Sequence, residues 1–226
     1  MIDLHTHVLP GIDDGSKSVE ETEQMLRRMA EDGIKTVVAT PHYYHDITID
    51  EFVSKRQEAY ESIKDLKNVP NVVLGAEVWL EYGMHNNPDL KKLCIQGTNY
   101  MLIELPYKKW DSWVYDELFK ISLKSINIIV AHIDRYVGYA EEAKIAKLLN
   151  MGFKLQGNVD CLGGFFTKSP VEKFMKKDMI CFVGTDCHNM TNRKPCMAEA
   201  YKRICKLYGQ DYFERLMKNA KKILKK

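Results

Sequence analysis

The chain has 226 residues, 45% of them hydrophobic, and its 33 basic and 31 acidic residues leave a formal net charge of +2. This size and composition suit a folded α/β domain, and we interpret residues 1–226 as a single domain. The balanced charge gives no reason to expect nucleic-acid binding. No apolar run approaches the roughly 20 residues of a membrane-spanning helix, and no signal-peptide pattern is visible. We therefore expect a cytoplasmic protein without membrane insertion.

Apolar runs rich in β-branched residues alternate along the chain with segments of helical periodicity. The predicted strands are residues 2–5, 36–40, 72–77, 100–104, 126–131, 153–157 and 180–184. The predicted helices are residues 18–32, 49–67, 111–124, 139–150, 169–177, 193–208 and 210–224. The first helix has apolar positions at three- and four-residue spacing, and Ser18 followed by Glu21 predicts a capping box at its start.

This alternation of seven strands and seven helices predicts a parallel sheet. The pattern alone fits either a closed barrel or a doubly wound open sheet. Residues 79–99 are irregular and contain Gly83 and Pro88. We interpret this segment as an excursion on the site face or a short helix.

Six of the seven predicted strands place a histidine or an acidic residue at the carboxyl end. These residues are His5, His7, His42, Glu77, Glu104, His132, Asp186 and His188. The carboxyl ends of parallel strands meet at one edge, where α/β folds build their sites. So many ionisable groups at one edge need cations to offset their mutual repulsion and desolvation. Imidazole and carboxylate ligands suit manganese, zinc or iron better than a soft metal bound by thiolates.

Four further residues are candidates for the same edge. The turn-rich loop after the first strand carries Asp13 and Asp14, either of which could reach back to the site or act only in the turn. Arg135 and Arg193 follow His132 and His188 at short intervals, which suits a bidentate grip on phosphate. The alternative is that each arginine forms a salt bridge with a neighbouring acid.

Motifs in order from residue 3 to residue 193 resemble the PHP (polymerase and histidinol phosphatase) superfamily. They read DLHTHVLPGIDDGS, TPHY, GAEV, IELP, AHIDRY and GTDCHN followed by an arginine. Within the superfamily, the set is most similar to the bacterial capsule-type, manganese-dependent protein-tyrosine phosphatases. The resemblance implies a distorted, TIM-like (β/α)7 barrel of parallel strands and two or three bound ions, manganese first, with iron or zinc as alternatives.

The resemblance also implies a division of the ligands among three ions. The first ion would take His5, His7, Glu77 and Asp186; the second Glu77, Glu104 and His132; the third Asp14, His42 and His188. Asp14 matches the family motif in preference to Asp13. Arg135 and Arg193 match phosphate-binding arginines. His42, or a metal-bound water, is a candidate acid for the leaving group.

We expect the reaction to be hydrolysis of protein phosphotyrosine by a metal-bound hydroxide. The implied partner is a bacterial tyrosine kinase whose tail is dephosphorylated to control capsular or exopolysaccharide synthesis. Tyr43, Tyr44 and residues 107–110 could form an aromatic wall around the phosphotyrosine, with lysines attracting an acidic peptide. The alternatives are a histidinol-phosphate or other small-molecule phosphoesterase and a non-catalytic metal-binding module; a nuclease is disfavoured by the charge.

The six cysteines lack CxxC spacing, and we interpret them as reduced thiols that mostly pack in the core. Cys187 lies between Asp186 and His188, where the family resemblance leads us to expect a small or apolar residue. It is either a packing residue or a redox-sensitive thiol near the ions.

Overall fold

The computed structural model describes residues 1–159 and 170–224. Cys161 and the first residue of the helix predicted at 169–177 lie outside these ranges. The strands are β1 (Ile2–Thr6), β2 (Thr36–Ala39), β3 (His42–Tyr43), β4 (Asn71–Leu74), β5 (Glu77–Trp79), β6 (Tyr100–Glu104), β7 (Asn127–Val130), β8 (Lys154–Asn158) and β9 (Phe182–Gly184). The α-helices are α1 (Val19–Glu31), α2 (Ile49–Glu61), α3 (Ser112–Ser122), α4 (Glu142–Asn150), α5 (Pro170–Lys176), α6 (Met197–Tyr208) and α7 (Gln210–Leu224). Short 3-10 helices span Met84–Asn86, Leu90–Leu93 and Ile133–Tyr136.

Parallel pairing joins the strands in two groups, in the orders β1-β2-β4 and β3-β5-β6-β7-β8-β9. The two groups are continuous, because β2 leads into β3 and β4 into β5 after an interruption of two residues. Pro41 lies in the first interruption and has no backbone N–H for a ladder bond. Glu77 N still donates to Pro41 O at 3.0 Å, which carries the pairing across the gap. The nine segments therefore occupy seven strand positions.

The sheet closes between β1 and the segment that follows β9. Thr6 and Cys187 form a parallel bridge, and Asp186 N donates to His5 O at 2.8 Å. Gly184 permits this approach, because a Cβ atom there would lie only 2.6 Å from the Cβ of His5. The fold is a distorted parallel barrel with helices outside it, as the family resemblance implied.

Several predicted elements have different bounds in the structure. The strand predicted at 72–77 is interrupted, so Glu77 begins β5 instead of ending a strand. Helix α2 ends at Glu61, because residues 62–65 form turns that bury Ile63. Helix α6 begins at Met197 because the Asn189 side chain accepts the N–H of Arg193 and holds a turn there.

The helices contact the barrel through apolar faces that their sequence periodicity predicts. Met25, Leu26 and Met29 of α1 are fully buried in the main core. Ser18 caps α1 by accepting the N–H of Glu21, whereas the Glu21 carboxylate bonds Lys17 N and leaves the predicted capping box half formed. Within the described ranges, no helix combines the length and apolar character needed to cross a bilayer.

Candidate metal centre

The predicted ligands meet at the carboxyl end of the barrel. They come from β1 and the segment after it, from β3, β5 and β6, and from the segments after β7 and β9. In the described residues, their ligand atoms form three overlapping groups, each compact enough to hold an ion. His7, His42 and Glu77 each belong to two of these groups.

The first group is His5, His7, Glu77 and Asp186, all four buried. Glu77 Oε2 lies 3.0 Å from His5 Nε2 and 3.2 Å from His7 Nε2. The Nε2 atoms of the two histidines are themselves only 3.2 Å apart. This is the set that the family resemblance implied for the first ion.

The second group contains His42, Glu77 and Glu104, with His132 beside it. His132 Nε2 lies 2.6 Å from Glu77 Oε1 and 3.3 Å from Glu104 Oε1. His42 Nδ1 lies 3.2 Å from Glu77 Oε2 on the other side. The family resemblance implied His132 with the two glutamates; the structure brings His42 there as well.

The third group contains Asp14, His42 and His188, and His7 joins them. Asp14 Oδ1 lies 3.3 Å from His188 Nε2 and 3.5 Å from His42 Nε2. The Asp14 side chain is 64% exposed, so it closes the group from the solvent side.

Asp13 has a different role from its neighbour. Its carboxylate lies 2.7 Å from His7 Nδ1 and accepts the backbone N–H groups of Gly15 and His42 at 2.9 and 3.0 Å. Asp13 therefore orients His7 from behind, a pairing that is common for metal-binding histidines.

Burial and the mutual interactions of carboxylates and imidazoles shift the pKa values in the centre. Burial alone would raise the pKa of Glu77, but His5 and His132 outweigh it and hold that pKa well below its ordinary value. Burial alone would lower the pKa of His132, but Glu77 and Glu104 raise it to about 9. The pKa of His188 falls to about 3, first through burial and then through repulsion from His7.

Several buried atoms of the centre lack a hydrogen-bond partner. They include Asp186 Oδ1, His188 Nε2 and His42 Nδ1. Unpartnered buried polar atoms are costly, and cations bound in the ligand groups that contain these three residues would satisfy them. Asp186 and His132 also have positive φ angles, 53° and 26°, a backbone conformation that is uncommon for non-glycine residues. The residues thus fit divalent ions bound through nitrogen and oxygen.

The two predicted arginines lie at the rim and converge on Asp186. Arg193 Nη2 is 2.8 Å from Asp186 Oδ2, and Arg135 contacts the same oxygen. Their side chains are 29% and 31% exposed. The salt-bridge alternative is therefore realised here, and both arginine side chains remain partly exposed.

A family model described as "Capsular polysaccharide synthesis, CpsB/CapC" matches residues 1–225. The chain belongs to the CpsB/CapC family.

Named relatives and a solved structure agree with this membership. Tyrosine-protein phosphatase CpsB of Streptococcus agalactiae is 28% identical to the chain, over 100% of the chain and 98% of that protein. Tyrosine-protein phosphatase YwqE of Bacillus subtilis is 29% identical, over 100% of the chain and 92% of that protein. A structure from work on B. subtilis YwqE and Streptococcus pneumoniae CpsB, described as unique metal-dependent tyrosine phosphatases, superposes with a TM-score of 0.86 at 24% identity. That alignment covers 99% of this chain and 94% of the other.

Polar residues inside the barrel support the ligands of this CpsB/CapC chain, and the sequence analysis missed them. Gln156 Oε1 lies 3.1 Å from His5 Nδ1 and accepts the N–H of His132 at 2.7 Å. Asn158 Nδ2 donates to Asp186 Oδ2 at 2.7 Å. The sequence does carry a signal for them, because Gln156 and Asn158 are polar residues at buried positions of the barrel strand β8.

An aromatic wall, defined as Tyr44, Trp79 and Tyr107, borders one side of the centre. Tyr44 stacks on His42 at a centroid distance of 4.8 Å, and Tyr107 stacks on His132 at 6.3 Å. Trp79 lies between the two tyrosines, at 6.3 and 5.9 Å. Tyr107 also donates its hydroxyl to Glu104 Oε1 at 2.6 Å.

The composition of this wall differs from the prediction. Tyr43 packs in the core against Phe52, with 5.1 Å between ring centroids. Trp110 is also buried and donates its indole N–H to Pro106 O at 3.1 Å. Neither can face a substrate, and Trp79 takes the central position instead.

Cys187 is completely buried, and burial raises the pKa of its thiol well above the ordinary value. A buried, protonated thiol is a poor nucleophile and a poor target for oxidants. The structure therefore favours the packing interpretation.

Proposed function

We propose that this CpsB/CapC protein is a metal-dependent phosphatase that hydrolyses phosphotyrosine on a protein. The observation that supports the proposal most strongly is the overlap of the three ligand groups through His7, His42 and Glu77. Shared ligands bring ions close together, which is how multi-metal sites clamp a phosphoryl group. The relatives CpsB and YwqE are named tyrosine-protein phosphatases, which supports phosphotyrosine as the substrate.

We propose manganese as the ion, with iron or zinc as substitutes, in one phosphatase domain of residues 1–226. The ligands would be His5, His7, Asp14, His42, Glu77, Glu104, His132, Asp186 and His188. When bound, the ions would polarise the phosphoryl oxygens and make hydroxide available near neutral pH.

The protein's own side chains would bind the phosphate, hold the ions and contact the substrate ring. Arg135 and Arg193 would release Asp186 in part and bind the non-bridging phosphate oxygens, for which planar guanidinium groups are well suited. His42 has Nε2 near Asp14 and Nδ1 near Glu77, so we assign it to holding ions and not to protonating the leaving group. The aromatic wall would pack against the phenyl ring of the substrate.

The partner we propose is a bacterial tyrosine kinase whose phosphorylated tail is the substrate, in the control of capsular or exopolysaccharide synthesis. The family description and the names of the relatives support this choice. Acidic or neutral tails could approach the rim where Lys108 lies.

The test compares manganese-loaded protein on phosphotyrosine peptide, phosphoserine peptide and histidinol phosphate. We expect release from phosphotyrosine alone, with loss of activity in a chelated sample and in His42→Ala. The control is Gln57→Ala, since Gln57 is exposed on α2 and lies outside the three ligand groups. A preference for histidinol phosphate would contradict the substrate, and bound metal without turnover on any phosphoester would indicate a non-catalytic module.

A further inference from the structure

A groove of about 750 Å³ opens beside the aromatic wall. Its main lining residues are Trp79, Tyr82, Pro106, Tyr107, Lys108 and Trp113. Trp79 and Tyr107 belong to both the wall and the groove, so the groove is continuous with the metal centre. The proposed reaction at phosphorus uses none of the residues at its far end.

The far end of the groove consists of aromatic side chains held open to solvent. Tyr82 is 78% exposed, and its ring meets that of Trp113 edge to face at 6.3 Å. The ammonium group of Lys108 lies 5.8 Å from the centre of the Trp113 ring. Exposed aromatic clusters of this kind commonly anchor a binding partner.

A buried carboxylate fixes the loop that carries Tyr82. Glu117 of α3 is 1% exposed and accepts the backbone N–H groups of Gly83 and His85 at 3.1 and 2.7 Å. It also bonds His85 Nδ1 at 2.8 Å. Because α3 also carries Trp113, this anchor sets both walls of the groove before any ligand arrives, which reduces the entropy lost on binding.

We propose that the groove binds an apolar or aromatic side chain of the substrate segment that flanks the phosphotyrosine. This rests on the proposed phosphatase function. A phosphotyrosine ring against Tyr44, Trp79 and Tyr107 places its neighbouring residues at the mouth of the groove. An extended chain advances about 3.3 Å per residue, so a side chain within about three residues of the phosphotyrosine can enter. The lining offers two charges, Glu81 and Lys108, of opposite sign, and so favours an apolar side chain over a charged one.

The experiment scans one phenylalanine through the three positions on each side of phosphotyrosine in an otherwise alanine and serine peptide. Manganese-loaded protein is assayed on each peptide and on p-nitrophenyl phosphate, which has no residues flanking its phosphorylated ring. We expect one or two positions on one side to raise kcat/KM by about ten-fold over the parent peptide.

Tyr82→Ala and Trp113→Ala then test the groove itself, and Phe119→Ala is the matched control. Phe119 is an exposed aromatic residue of α3 that does not line the groove. We expect both groove variants to lose the preference for phenylalanine, measured as the ratio of kcat/KM for the preferred peptide to that for p-nitrophenyl phosphate. The control should keep that ratio. Tyr82 is mostly exposed, so its variant will fold even if loss of Trp113 destabilises α3.

The outcomes that contradict the groove inference differ from those that contradict the phosphatase function. The groove inference is overturned if phenylalanine raises kcat/KM at no position, or if its effect persists in both groove variants. Either result leaves the phosphatase function intact. A dimer that dissociates in Tyr82→Ala would also overturn it, because a second copy would then occupy the groove. Absence of turnover on both the peptides and p-nitrophenyl phosphate defeats the proposed function, and the groove inference with it.

Discussion

Glu77 shows at the scale of one residue why the site needs cations. Its carboxylate is buried and lies within 3.2 Å of four imidazoles, those of His5, His7, His42 and His132. An isolated buried carboxylate is costly, and the surrounding histidines offset that cost only in part when they are neutral. Bound ions would let Glu77 stay ionised while the histidines stay neutral.

Glu77→Gln removes this charge with little change in volume. We expect the protein to lose bound metal on dialysis and to lose at least about 100-fold in activity, more than residues behind the ligands typically contribute. Elemental analysis and turnover measurements check this. Glu117→Gln, a second buried glutamate outside the ligand groups, should retain its metal. Full metal occupancy in Glu77→Gln would contradict the assignment.

Gln156 acts one layer behind the ligands, where its amide oxygen contacts His5 Nδ1 and His132 N. Gln156→Leu should leave the ligands present but poorly oriented, and we expect manganese affinity to fall by about 10- to 100-fold. Titration of the metal-free protein with manganese gives the Kd. Gln57→Leu, on the exposed face of α2, is the control and should bind as the wild type does. An unchanged Kd in Gln156→Leu would restrict Gln156 to a packing role.

At the scale of elements, the closure between β1 and β9 decides where the ligands meet. Asp3 in β1 accepts the backbone N–H and the hydroxyl of Thr185, at 3.0 and 2.6 Å, directly before Asp186. It also accepts the N–H of His5 at 3.3 Å. One buried carboxylate therefore fixes His5 and Asp186 relative to each other.

Asp3→Ala leaves these buried donors without an acceptor. We expect the free energy of unfolding to fall by about 1–3 kcal/mol, the cost of unsatisfied buried groups. Urea denaturation followed by circular dichroism measures it. Asp65→Ala, at an exposed turn, should change stability by no more than about 0.5 kcal/mol. A similar small change in Asp3→Ala would show that the closure does not depend on this carboxylate.

At the scale of the molecule, the ligands connect parts of the chain from residue 5 to residue 188. Ions bound there cross-link segments that the unfolded chain holds apart, so metal binding and folding are coupled. The stabilisation depends on how far the metal concentration exceeds Kd.

Removal of the ions should therefore lower the melting temperature. At a free manganese concentration 100 times Kd, one occupied site adds about 2.7 kcal/mol to the free energy of unfolding. Chelation should therefore lower Tm by about 5–10 °C. Calorimetry with and without a chelator measures the shift. Glu77→Gln should show a smaller shift, because it lacks the ions that Glu77 would hold, whereas the group of His7, Asp14, His42 and His188 does not depend on Glu77. Equal shifts in both proteins would mean that the chelator acts elsewhere.

The sequence by itself determined the strand–helix alternation and which residues reach the site. Strand positions follow from local apolar periodicity, and the end of a strand fixes which residue comes next at the barrel edge. That is why the eight ligands predicted from strand ends lie at one end of the barrel, although the strand at 72–77 is interrupted and α6 starts at Met197.

Only the tertiary structure decided which contacts join these residues in addition to the groups that the family resemblance implied. Barrel curvature places His42 beside Glu77 and Glu104, turns Asp13 behind His7, and directs both arginines to Asp186. It also buries Tyr43 and brings Trp79 into the aromatic wall. These contacts join residues distant in sequence, and their side-chain directions depend on twist, closure and neighbouring side chains, which local periodicity does not encode.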